Sequence, residues 1–257
     1  MKVLKDVSYG EKERNTLDVM MPDGKVEAFF VYIHGGGLNS STKYVPTPEI
    51  FNMNNIAVVA LNYTMYPSEK YPERRAKYPE FIDDCAKGVR WAYDYMLENT
   101  DCKKFFVGGS SAGGYISMML CFDRRYLEKY GMSNDMISGY VHDAGQPTTH
   151  FRVLMEEDKM DNRRIVVDER APLYYVGVEK EYPPMKIIVS DDDMQNRYEQ
   201  TVLLASTLRH FGYKDYDIQI MRGNHCKYFD KERNFLLGNI VVGFIKQNLL
   251  RVNQKDL

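Results

Sequence analysis

The sequence predicts an α/β protein built on a mostly parallel sheet flanked by helices. Three observations carry that reading. Short β-branched or aromatic runs recur along the chain, and the stretches between them repeat apolar residues at steps of three and four. One apolar run passes through a glycine-rich turn straight into a helical segment.

Taken in order, Thr16 to Met21 alternates like a strand and Pro22-Asp23-Gly24 is a turn sequence, so the N-terminus reads as an antiparallel hairpin at the sheet edge. Phe29 to Ile33 and Ile56 to Leu61 are the next strands. From Phe81, residues Ile82, Cys85, Val89, Ala92, Tyr93 and Met96 fall on one helix face. Further strands are predicted at Phe105 to Val107, Met136 to Val141, Lys186 to Val189 and Asp217 to Met221. Between the last two, Tyr198, Val202, Ala205, Leu208 and Phe211 repeat the helical pattern, and Leu237 to Leu250 closes the chain as a third amphipathic helix. No repeat, low-complexity run or Gly/Ser-rich linker divides the chain, so residues 1–257 are expected to form one domain.

Charge and cysteine content remove several classes. With 34 Lys plus Arg against 36 Asp plus Glu, the charge excess that would concentrate phosphates is missing, which argues against nucleic acid as a partner. No stretch approaches the ~18 to 20 apolar residues that span a bilayer, so no membrane partner is expected. Charges at Lys2, Lys5 and Asp6 break the apolar core that a signal peptide needs, and the expectation is a cytoplasmic enzyme. Cys85, Cys102, Cys121 and Cys226 form no Cys-x-x-Cys pair and have no His at metal-ligand spacing; they read as small packed residues in a reducing compartment.

The strongest chemical signal is the run Phe105 to Gly114, an apolar strand entering Gly-x-Ser-x-Gly and then the helical run Tyr115 to Leu120. A serine at a sharp strand-to-helix turn needs neighbours without side chains, which Gly109 and Gly113 supply. Ser111 is then an exposed hydroxyl at a helix N-terminus, where free amides favour developing negative charge. His34-Gly35-Gly36-Gly37, directly after the Phe29 strand, offers backbone N–H groups that a substrate oxygen can approach. Gly36 and Gly37, with the N–H of Ala112, are the candidate oxyanion donors. His34 itself reads as structural.

A serine nucleophile needs a base, and His225, just past the last predicted strand, is the best placed of five histidines, with His142 second. The base needs a carboxylate, and Asp191-Asp192-Asp193 ends the Lys186 strand. Adjacent carboxylates are not all buried and ionised cheaply, so at most one faces His225. An acid from this cluster gives the chain order Ser, Asp, His, which belongs to neither major serine-protease arrangement.

Together these residues resemble the α/β-hydrolase superfamily, and within it the esterase branch similar to hormone-sensitive lipase. His34 to Gly37 matches the branch's oxyanion signature and Gly109 to Gly114 its nucleophile signature. Asn62-Tyr63 through Pro67, Tyr71-Pro72, Asp84 and Trp91 resemble the segment and helix that follow its next strand. The resemblance implies an α/β-hydrolase fold and selects Asp193, three residues after a small residue at the strand end. Ser110 stands where many members carry Asp, and only 33 residues precede His34, too few for the branch's N-terminal helical lid. A reduced cap within 146–184 is the expected substitute.

The expected activity is hydrolysis of small short-chain carboxylic esters, acetylated sugars among them, through an acyl-enzyme on Ser111, with no metal or organic cofactor. Two alternatives stand beside it: an amide-directed relative, peptidase or formamidase, and a noncatalytic ligand binder on the same scaffold. Tyr44, Tyr63, Tyr66, Tyr71, Tyr174 and Tyr175, among 20 tyrosines, are candidate pocket residues for a sugar ester or an aryl acyl group.

Overall fold

A computed structural model describes residues 1–250. Its eight strands are β1 (Lys2–Ser8), β2 (Thr16–Met21), β3 (Ala28–Ile33), β4 (Ile56–Leu61), β5 (Phe105–Ser110), β6 (Gly139–Asp143), β7 (Met185–Asp192) and β8 (Tyr216–Asn224). They form one sheet in the order β1-β2-β4-β3-β5-β6-β7-β8. Pairs from β4 to β8 are parallel, while β1 with β2 and β2 with β4 are antiparallel. This is the mostly parallel sheet with flanking helices that the sequence predicts.

Both faces are covered, which is why the central strands read as unbroken apolar runs. Along β3, Phe29, Val31 and Ile33 join the core on one side while Phe30 and Tyr32 join the other. Helices α1 (Pro48–Met53) and α8 (Leu237–Leu249) close the second face. The first face carries α2 (Glu80–Asn99), α3 (Ala112–Phe122) and the short α4 (Arg125–Glu128). Ile82, Cys85, Val89, Ala92 and Met96 on α2 are fully buried, as their spacing predicts. All residues of α3 are buried, so it has no polar face for a periodicity argument to find.

Between β6 and β7 the chain makes an excursion carrying α5 (Phe151–Glu157) and α6 (Pro172–Tyr175), and α7 (Arg197–His210) returns it from β7 to β8. Three local expectations are corrected. The edge hairpin is β1 with β2, joined by residues 9–15; the turn at Pro22-Asp23-Gly24 instead starts a crossover, because the wholly apolar β4 takes the place between β2 and β3. The strand expected over Met136 to Val141 is displaced toward its C-terminus, with a 3₁₀ turn at Asn134–Met136 and the strand at Gly139–Asp143; Gly139 admits the ring of Phe244, and His142 and Asp143 are held by side-chain partners that propensity does not register.

Helix α7 also departs from its predicted face. Val202 and Phe211 are exposed, and Arg197, Gln200, Thr201, Leu204, Ala205 and Leu208 face inward. The inward face is partly polar because it holds the excursion: Arg197 donates to the carbonyl of Ala144, and Gln200 accepts from Thr148 at 2.8 Å. An apolar pattern cannot locate such a face.

Candidate active site

In a parallel sheet, sites form at the carboxyl ends of the strands. Six loops leave that end, after β3, β4, β5, β6, β7 and β8, and those after β3, β5, β7 and β8 carry the candidate residues. Ser111 follows β5 directly, with φ 56° and ψ −114°, a strained backbone for a residue with a side chain. Its amide donates to the carbonyl of Asp143 at 2.8 Å, and its carbonyl accepts from Tyr115 at 2.9 Å in the first turn of α3. The turn is tight enough that a Cβ on Gly113 would run into the carbonyl of Ile33, so α3 starts in contact with the end of β3.

Ser111 Oγ lies 2.8 Å from His225 Nε2, and His225 Nδ1 lies 2.5 Å from Asp193 Oδ1. The Asp193 carboxylate is shut off from solvent, while His225 keeps 23% of its side-chain surface. Asp193 also accepts from the amides of Met194 at 2.7 Å and Ser190 at 3.3 Å. Burial works to raise its pKa, but the His225 hydrogen bond and charge and those two amides outweigh it and hold the carboxyl below its ordinary value. With Asp193 accepting from Nδ1–H, Nε2 is left as an acceptor toward the Ser111 hydroxyl.

The neighbouring acids are engaged elsewhere. Asp191 accepts from the Gly223 amide at 3.1 Å and Asp192 from Asn224 Nδ2 at 2.6 Å, both exposed, pinning the start of the His225 loop to the end of β7. Of the other histidines, His142 is buried on β6 against Ser117 at 2.9 Å and pushed down to about 3 by burial. His34 stacks on Tyr63 at 4.4 Å and is pushed down to about 4, again by burial. His210 is exposed at the end of α7.

The loop after β3 lies against Ser111: a Cβ on Gly35 would stand 3.2 Å from that of Ser111. Gly36 has φ +103°, and its carbonyl accepts from the amides of Asn39 at 3.1 Å and Ser40 at 3.0 Å, which leaves no room for a side chain. Among the described residues the amides of Gly36, Gly37 and Ala112 have no hydrogen-bond partner. The loop that carries Gly36 and Gly37 thus packs on Ser111 through Gly35, and Ala112 is the next residue in the chain; unpartnered backbone donors of this kind are what an oxyanion site requires.

Sequence reasoning missed a buried carboxylate behind this constellation. Asp143, paired across the sheet with Ser110, accepts from the Ser110 hydroxyl and from Tyr228 at 2.7 Å, and Tyr32 donates to Ser110 at 2.8 Å. The carboxylate that many members of the resembling branch carry at position 110 thus has a counterpart one strand away. Burial raises Asp143 to about 6 against the Ser110 and Tyr228 hydrogen bonds. Burial, together with the charges of Asp143 and Asp193, pushes the Cys226 thiol well up. Cys226 is therefore a packed, protonated thiol. A carboxylate at a strand end beside the nucleophile strand was the available signal; the register that joins the two is not written locally.

Of the candidate pocket tyrosines, Tyr63 and Tyr66 are core residues, whereas Tyr44 and Tyr174 are exposed. A cavity of about 550 Å³ lies at the opposite end of the sheet, between the approaches to β3 and β5, and has no part in this chemistry. A smaller one of about 200 Å³ adjoins the site, lined by Phe151 and Met194 among others. Among the described residues no group of three or more His, Cys, Asp or Glu is placed to hold a metal, and no helix is long and apolar enough to cross a membrane.

The sheet order, the serine at its strand-to-helix turn, the acid after β7 and the histidine after β8 define the α/β-hydrolase class. The chain belongs to the prolyl oligopeptidase family, whose model matches residues 47–250. It is 24% identical over 164 residues to Probable carboxylesterase 13 of Arabidopsis thaliana, covering 54% of this chain and 48% of that one. The chain spans about half the length of the curated relatives it matches. Among solved structures it is similar to a truncated carbohydrate esterase from gut microbiota, with TM-score 0.76 and 18% identity over 98% of this chain and 97% of that one. It is also similar to the thermophilic esterase Est2 of Thermogutta terrifontis, with TM-score 0.70 and 17% identity over 97% and 93%. At these identities the structural likeness speaks for the fold.

Proposed function

We propose that this chain is a serine hydrolase of carboxylic esters that works through an acyl-enzyme on Ser111. The observation that carries the reading is the continuous relay from Asp193 through both nitrogens of His225 to the Ser111 hydroxyl. His225 takes the Ser111 proton as Oγ attacks the ester carbonyl, and the amides of Gly36, Gly37 and Ala112 hold the oxyanion. The alcohol leaves with that proton. Water, activated by the same imidazole, then cleaves the acyl-enzyme and restores the serine.

Short-chain esters, acetylated sugars among them, are the substrates we favour. The cavity of about 200 Å³ beside the oxyanion loop suits a small group, and the relatives named carboxylesterase and carbohydrate esterase point the same way. Residues 146–184 serve in this reading as the reduced cap of a single domain. Ser111→Ala should lower kcat for p-nitrophenyl acetate by on the order of 10⁶-fold with an unchanged circular dichroism spectrum. Retained turnover would remove Ser111 from the mechanism.

The family's own description favours a second reading, in which an amine rather than an alcohol leaves. Turnover of an acetate ester set against the matched acetanilide separates the two. The ester reading requires the ester to be hydrolysed faster by a margin larger than the uncatalysed difference between the compounds.

A further inference from the structure

The cavity of about 200 Å³ beside the triad is lined by three arginines and by no carboxylate. Arg197, at the start of α7, is 3% exposed and forms its floor; its guanidinium donates to the Ala144 carbonyl and to Gln146 Oε1, both uncharged. Arg163 and Arg164 stand exposed at the rim. Arg163 pairs with Asp161 at 2.5 Å, whereas Arg164 and Arg197 form no ion pair among the described residues. The acids that act on them electrostatically are Asp161, shared with Arg163, and Asp193, bonded to His225. A positive floor and a positive mouth enclose a space with no negative charge of its own.

Its position ties it to the reaction. Phe151 lines the cavity on one side, and a Cβ on Gly37 would stand 3.7 Å from the Phe151 ring, so the oxyanion loop lies across that ring. Met194, next to the triad acid, lines the other side. The walls are built: Gln146 has its amide engaged by Thr148, Thr149, Phe151 and Arg197, and Thr148 passes a hydrogen bond to Gln200. A buried polar network satisfied in this way holds the floor arginine in place.

We propose that this cavity binds a carboxylate carried by the ester substrate, placed a few bonds from the ester carbonyl held over Ser111. This rests on the ester-hydrolase reading above and names the substrate class for the same site. Arginine suits the role because its planar donors match a carboxylate and its charge persists at any working pH. The carboxylate comes from either side of the ester: an acyl group that is a half-ester of a dicarboxylic acid, or an alcohol that is a uronic acid.

Two substrate pairs distinguish these sources: monoethyl glutarate against ethyl pentanoate, and O-acetylglucuronate against O-acetylglucose. The quantity read is the ratio of kcat/KM, charged over neutral, by pH-stat at low salt. For one pair the ratio should be about tenfold or more above one, and fall toward one in Arg164→Gln and in high salt. Arg164 is exposed, so that variant tests the site without a burden on folding. Glutarate binding by calorimetry, present in the intact chain and at least about tenfold weaker in Arg164→Gln, reads the site without turnover. A chain that binds glutarate in this way but hydrolyses no ester loses the hydrolase reading and, with it, the substrate assignment. A chain that hydrolyses the neutral esters, with both ratios near one or unmoved by Arg164→Gln, overturns the carboxylate site and leaves the hydrolase reading standing.

Discussion

Asp191, Asp192 and Asp193 share a charge and a strand end but accept from different donors. Asp191 and Asp192 hold backbone and amide groups at the end of β8 in full view of solvent, whereas Asp193 turns inward onto His225. A neutral amide at 193 would turn one donor toward the Nδ1–H and favour the wrong tautomer. Asp193→Asn should therefore lower kcat by on the order of 10⁴-fold while the fold persists. Asp192→Asn should leave kcat within a few-fold, since an exposed hydrogen bond to Asn224 is worth ~1 kcal/mol. Equal losses in the two variants, measured on the same ester, would reject Asp193 as the acid.

At the level of elements, the site depends on how closely α3 and the loop after β3 approach one another. Gly113 makes that approach possible: a methyl group there would occupy the space of the Ile33 and His34 carbonyls, both backbone and neither free to swing aside. Gly113→Ala is expected to lower stability by about 1–3 kcal/mol or more and to shift the denaturant midpoint down. The same shift would move Ser111 away from the Gly36 and Gly37 amides, so residual activity should fall further than stability alone requires. The sequence identified this junction because glycine spacing at a strand-to-helix turn is a local property. It misplaced the inward face of α7, because Arg197 and Gln200 are buried for their hydrogen bonds rather than for apolar area.

Across the whole molecule, Asp143 links three separate parts of the chain. Its backbone carbonyl fixes Ser111, its carboxylate holds Ser110 on β5, and Tyr228 brings in the loop after β8. Burial gives it a folded pKa of about 6 against an ordinary value of 3.8. A carboxyl raised in this way adds stability that is complete below about pH 4 and is lost as the pH rises through about 6. Asparagine carries no charge at any pH. Asp143→Asn should thus gain on the unsubstituted chain by up to about 3 kcal/mol between pH 4 and pH 7, read from denaturant unfolding at each pH. Asp193 runs the other way: held below its ordinary value, it adds stability above about pH 4 and gives it up as the pH falls. A pH-independent difference between the Asp143 variant and the parent would show that Asp143 is not shifted upward.

Taken alone, the sequence determined the fold class, the serine turn, the glycine loop and the histidine loop. Each is set by neighbours in the chain: glycines that admit a crowded backbone, apolar runs of strand length, and apolar steps of three and four. Only the tertiary structure decided that Asp191 and Asp192 turn to the end of β8, that Asp143 lies behind Ser110, that β4 separates β2 from β3, and that Arg197 is the floor of a cavity. Those outcomes depend on strand register and on the packing of loops distant in the chain, and a side chain's environment is fixed by what folds against it.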